Sequence, residues 1–129
     1  MRDINKVIFH CSDSDIDTHN DINVIKEWHK ARGWSDVGYH FFIRRDGSIE
    51  AGRPANVIGA HTKGQNKDSI GVCLHGKAYF TKEQFVSARR LFELVSMLEP
   101  GVKAYGHKDF NKEKTCPNFE VSKEIYGKD

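Results

Sequence analysis

Hydrophobic positions fall into runs whose spacing changes along the chain. Val7-Ile8-Phe9-His10-Cys11 is almost unbroken by polar residues, as expected of a central strand covered on both faces. Over residues 21–32 the apolar Ile22, Ile25 and Trp28 share one stripe and Gly33 supplies a stop, which predicts a helix. Residues 39–44 are strand-like, and Asp46-Gly47 is a hairpin signal leading into residues 48–51. Residues 69–75 form another short strand pattern. A second helix is expected from Thr81, which makes a capping-box pattern with Gln84, while Phe80 and Phe85 stand where a hydrophobic staple packs. Phe85, Ala88, Phe92 and Val95 then recur at helical spacing, with Leu91, Leu94 and Leu98 alongside, until Pro100-Gly101. Residues 102–105 read as a last strand and 119–126 as a short closing helix. Strands interspersed with helices, plus one hairpin, predict an α/β fold with a central mixed β-sheet flanked by helices. No repeat, low-complexity tract or Pro/Gly/Ser-rich linker intervenes, so residues 1–129 are expected to form a single domain.

Composition narrows the class. Of 129 residues, 38% are hydrophobic and 29% charged, with 20 Lys and Arg against 18 Asp and Glu. A chain of this size buries roughly two-thirds of its unfolded surface and needs no disulfide staples. The net charge of +2, with acids and bases interleaved, lacks the clustered basic face of a nucleic-acid domain. Direct nucleic-acid binding is therefore not expected. The longest apolar runs, such as Phe41-Phe42-Ile43, fall short of a spanning helix of about 20 residues or a signal-peptide core of about 7–15. The expected protein is a monomer without membrane association, cytoplasmic at synthesis. Its cysteines, Cys11, Cys73 and Cys116, are odd in number and far apart, which favours free thiols or metal ligation over a disulfide framework.

Candidate chemistry then rests on the seven histidines. Dinucleotide, phosphate-loop, zincin and elbow-serine motifs are all absent. His10 ends a buried strand pattern and His107 follows the last one, where α/β sheets place ligands. Cys116 lies nine residues beyond His107 and precedes Pro117. Two His and one Cys, with water in a fourth position, would suit an open catalytic zinc site, although isolated His and Cys residues are as readily structural. If the loop is extended, Lys114 faces the same way as Cys116 and could stabilise an oxyanion; the alternative is a solvated lysine among Lys112 and Glu113. Tyr39, at the start of its strand, could hydrogen-bond a reacting water or simply pack. His40 should alternate to the face opposite Tyr39. His19 and His29 read as surface residues, while Cys11 and Cys73 read as small buried apolar groups.

Six segments, in order, carry a resemblance. They are Ile8-Phe9-His10-Cys11-Ser12, Glu27-Trp28-His29-Lys30, the run from Gly33-Trp34 to Gly38-Tyr39-His40-Phe41, and the run from Arg45-Asp46-Gly47 to Gly52-Arg53. Ser69-Ile70-Gly71-Val72-Cys73-Leu74 and Lys114-Thr115-Cys116-Pro117 complete the set. Together, over about residues 7–126, the chain resembles zinc-dependent N-acetylmuramoyl-L-alanine amidases of the phage lysozyme type, relatives of AmpD-like amidases and animal peptidoglycan recognition proteins. The resemblance implies one Zn2+ held by His10, His107 and Cys116, with Tyr39 and Lys114 as catalytic side chains. It places His61 on the segment bordering the substrate groove, as a substrate-binding residue or a solvated loop histidine, with His40 and His75 also within reach. The implied substrate is peptidoglycan or a muropeptide, and the implied role is that of a phage or prophage endolysin. A cytosolic muropeptide-recycling amidase and a non-catalytic peptidoglycan-binding module are the alternatives; the latter commonly lacks the thiol ligand. A cell-wall thiol peptidase using Cys116 and His107 is a third. Some phage relatives also inhibit a phage RNA polymerase, a partner that the short stretch before the first strand counts against here.

Overall fold

The computed structural model describes residues 2–128. Five strands form one sheet in the order β3-β2-β4-β1-β5: β1 Lys6–Cys11, β2 Phe41–Ile43, β3 Ile49–Ala51, β4 Ser69–Leu74 and β5 Lys103–Gly106. β1 runs parallel to both β4 and β5, and β2 runs parallel to β4; only the β2–β3 hairpin is antiparallel. This is the mixed sheet that the strand patterns predict.

Strand periodicity divides the core into two layers. Val7, Phe9, Ile43, Ile70, Val72 and Leu74 face α2, Lys82–Leu98, which contributes Ala88 and Leu91, with Phe85, Phe92 and Val95 packed around them. Their neighbours Phe42 and Cys73 face the opposite way, against Ile22 and Ile25 of α1, Ile22–Ala31. His10 has the parity of this second face and lies directly across from Cys73, which in turn lies across from Phe42. A polar ring is therefore set into an otherwise apolar row.

Both long helices start where side chains can cap them. Asp21 accepts the Asn23 N–H at 2.8 Å. The Thr81 hydroxyl accepts the Gln84 N–H at 3.1 Å, and Gln84 returns its Oε1 to the Thr81 N–H at 2.9 Å. The Gln84 amide also donates to the carbonyls of His75 and Ile43, tying the start of α2 to the ends of β4 and β2. The Phe80 and Phe85 rings meet as the staple pattern predicts, 6.1 Å apart.

Two local readings change. The closing helix shrinks to the single turn α3, Val121–Glu124, because Phe119 is drawn into the core against Phe80 and Phe85 before the helix begins. The segment around Lys114 is not extended: Lys114 N–H donates to the Asn111 carbonyl and Asn118 N–H to the Thr115 carbonyl, which makes two successive turns. Between β3 and β4 runs a loop with little regular structure beyond a 3-10 turn at Asn66–Asp68, and it carries His61 and Thr62 over the sheet.

Candidate metal centre

The C-terminal ends of parallel β1 and β5 bring His10 and His107 together. His10 is the penultimate residue of β1 and is 1% exposed; His107 is the first residue after β5. Their rings stand 4.8 Å apart. Cys116 arrives from the following loop, whose Pro117 packs on Gly106, where a Cβ would come within 2.7 Å of the proline ring. Two hydrogen bonds hold that loop in place. The Cys11 N–H donates to the Cys116 sulfur at 3.0 Å, and the Lys108 N–H to the Cys116 carbonyl at 2.9 Å. The donor atoms of His10, His107 and Cys116 all lie within 4.8 Å of one another. Donors on a tetrahedral zinc ion stand roughly 3.3–3.6 Å apart, so small side-chain movements would close this set. Two imidazoles and a thiol are also the donor chemistry that zinc prefers.

The electrostatics agree. Burial, with the neighbouring histidines, pushes His10 well below its ordinary range, and burial followed by the nearby Lys114 charge lowers His107. Both rings are neutral and able to ligate. The hydrogen-bonded Cys11 side chain and burial raise the Cys116 thiol, so without a cation beside it the sulfur keeps its proton.

His107 and Cys116 open onto a cleft of about 350 Å³, lined also by Tyr39, His61 and Lys114 together with Trp28, Trp34 and Arg32. Tyr39 packs 5.0 Å from the His10 ring. Burial, then the neighbouring Cys73 and the other two cysteines, raise its phenol well above the usual range, which keeps it a hydrogen-bond donor. Lys114 is exposed and reaches the cleft from a turn rather than from an extended strand. Here i, i+2 reasoning gives the right neighbourhood through the wrong geometry.

His61 also lines the cleft, yet it is not a solvated loop residue. Its Nδ1 lies 2.9 Å from His10 Nε2, and burial holds its pKa at about 3. Four other histidine expectations need adjustment. His40 does not turn away from Tyr39: both rings approach His61, at 5.9 and 6.5 Å, because Tyr39 lies before β2, where strict alternation does not apply. His40 is instead spent internally, accepting the Gly71 N–H and donating to the Val57 carbonyl. His75 is wholly buried beside Phe42 and does not line the cleft. His29 is buried, not on the surface; its Nδ1 accepts the Gly38 N–H at 2.8 Å, and its ring packs between Trp34 and Tyr39. His19 is half-buried, edge-on to Trp28. His29 stands i+4 from Ile25, a position on the inner helix face that its polarity obscures.

The family model described as N-acetylmuramoyl-L-alanine amidase matches residues 1–119. The chain belongs to that amidase family. The endolysin of Klebsiella phage KP32 is 37% identical over 130 residues, spanning 95% of this chain and 85% of the relative. Among solved structures, the N-acetylmuramoyl-L-alanine amidase LysC from Clostridium intestinale URNW superposes with a TM-score of 0.87 at 31% identity, over 98% of this chain and 85% of that one. Drosophila PGRP-LB superposes with a TM-score of 0.79, also at 31% identity, over 91% of this chain and 76% of that one. The matched amidase region contains His10, Tyr39, His61, His107, Lys114 and Cys116, and the five-stranded sheet that positions them is the amidase fold. No helix among the amidase's described residues is long and apolar enough to cross a membrane.

Proposed function

We infer that this protein is a zinc-dependent N-acetylmuramoyl-L-alanine amidase that hydrolyses the amide between the lactyl group of N-acetylmuramic acid and L-alanine of the stem peptide, in the role of a phage endolysin. The convergence of His10, His107 and Cys116, two of which line the cleft, carries the reading. Zinc bound there would polarise the scissile carbonyl and lower the pKa of water towards about 7. The chain's own groups supply the rest. Tyr39, held protonated, donates a hydrogen bond to the carbonyl oxygen as it gains charge. Lys114 lines the same cleft, and its ammonium group stabilises negative charge as it develops. Trp28 and Trp34 offer flat apolar surface for sugar or peptide, and His61 stands at the edge of the groove.

The presence of Cys116 favours the enzyme over a binding module that lacks the thiol ligand. Peptidoglycan incubated with zinc-loaded protein should release stem peptides with free N-terminal L-alanine, identified by mass spectrometry and absent from a chelated control. Cuts inside the peptide would overturn the amidase reading, and binding without products would support the module instead.

A further inference from the structure

Behind His10 lies a chain of hydrogen bonds that runs in one direction only. Ser69 is wholly buried, and its hydroxyl oxygen stands 2.7 Å from the Gln65 carbonyl. A carbonyl only accepts, so the hydroxyl proton points to Gln65. Ser69 Oγ then offers a lone pair to His61 Nε2, 3.2 Å away, which makes Nε2 the protonated nitrogen of His61 and leaves Nδ1 as an acceptor. His61 Nδ1 faces His10 Nε2 at 2.9 Å, so His10 Nε2 carries the proton. Thr62, 2% exposed, completes the group. Its hydroxyl lies 3.2 Å from His10 Nε2 and 3.0 Å from His61 Nδ1, placed to accept from the first and donate to the second. Among the described residues His10 Nδ1 has no hydrogen-bond partner, and it is the nitrogen left with a lone pair.

The backbone is built to keep this arrangement. Asn66 Oδ1 accepts the N–H groups of both His61 and Thr62, at 3.0 and 2.9 Å. The His61 ring lies flat on Gly71, where a Cβ would meet its Cδ2 at 2.5 Å. Buried polar groups of this kind have few alternative partners, so the direction of the chain is fixed by its far end.

We propose that the Gln65–Ser69–His61 relay, with Thr62, fixes the tautomer of His10 so that Nδ1 ligates zinc, and that it thereby sets the metal affinity of the centre. His61, Thr62 and Ser69 are positioning residues in this account, which rests on the zinc reading above. Partners that orient a ligating histidine typically govern metal affinity by about 10–100-fold.

Long-range 1H–15N NMR of the histidine rings in the intact zinc-loaded chain tests the tautomers directly. The expected result is His10 coordinated through Nδ1 with a proton on Nε2, and His61 protonated on Nε2. Zinc affinity, measured by competition with a chromophoric chelator, tests the consequence. His61→Ala should weaken zinc roughly 10–100-fold and Ser69→Ala about 10-fold, although Ser69 touches neither the metal ligands nor the cleft. Thr62→Val should weaken it as well, and Thr62→Ser should restore it; circular dichroism of each metal-free variant reports folding separately. Coordination through His10 Nε2, or unchanged affinity in both His61→Ala and Ser69→Ala, overturns the relay. A parent chain that binds no zinc overturns the zinc reading and this role with it, whereas tight binding in every variant overturns this role alone.

Discussion

Single side chains at the cleft divide by what their loss should remove. Cys116 and His10 are proposed metal donors, so Cys116→Ser or His10→Ala should abolish stoichiometric zinc, checked by metal analysis after dialysis. Undiminished zinc would refute the ligand assignment. Tyr39 and Lys114 are proposed to act on charge that develops during the reaction. Tyr39→Phe and Lys114→Ala should keep zinc and fold but lose about 10²–10³ in turnover, the usual cost of one such donor. Full activity in either variant would end its assigned role. The Lys114 charge is already felt in the ground state, where it helps to keep the His107 ring neutral.

The elements differ in how openly the sequence declares them. α2 is legible because its cap, staple and stripe all lie within one stretch of chain, and each reappears as a contact in the fold. Thr81→Ala removes the hydroxyl that accepts the Gln84 N–H and should lower stability by about 1 kcal/mol, read from the midpoint of chemical denaturation. An unchanged midpoint would show that the packing of Gln84 alone holds the helix start. β1, β4 and the hairpin are equally legible from apolar runs and Asp46-Gly47. The loop between β3 and β4 is not, since it has no periodicity, and its importance comes from crossing over Gly71 to reach His10. Thr62 is invisible in the sequence for the same reason, and Ser69 reads only as the start of β4. Nothing local marks a threonine whose partner is 52 positions away. His10 and His107 can be placed at strand ends from pattern alone, but the grouping of both with Cys116 around one ion came from resemblance, and their convergence only from the folded sheet.

Taken as a whole, the molecule buries many neutral imidazoles, and this has a cost in acid. Burial holds His29 and His40 at about 4. Unfolded, each would titrate near 6.5. Between those values the unfolded chain binds more protons than the folded one, so stability present above pH 6.5 is lost as the pH falls towards 4. The melting temperature of the metal-free protein should therefore be level above about pH 7 and should fall steadily from pH 6.5 to 4. His29→Asn, whose side-chain oxygen can still accept the Gly38 N–H, should flatten part of that slope. An identical slope would remove His29 as a source.

The order of the strands also bears on how the protein comes into being. β1 is made early and lies in the sheet between β4 and β5, both made much later. While the chain is being synthesised, β1 waits with its hydrogen-bonding edges open, and the last of those edges closes only when β5 emerges. His107 and Cys116 follow β5, so a nascent chain that stops before His107 holds only one of the three side chains proposed to bind the metal. The same topology that gathers these side chains at one end of the sheet keeps them apart in time, because the strand that brings His107 beside His10 is the last of the five to be made.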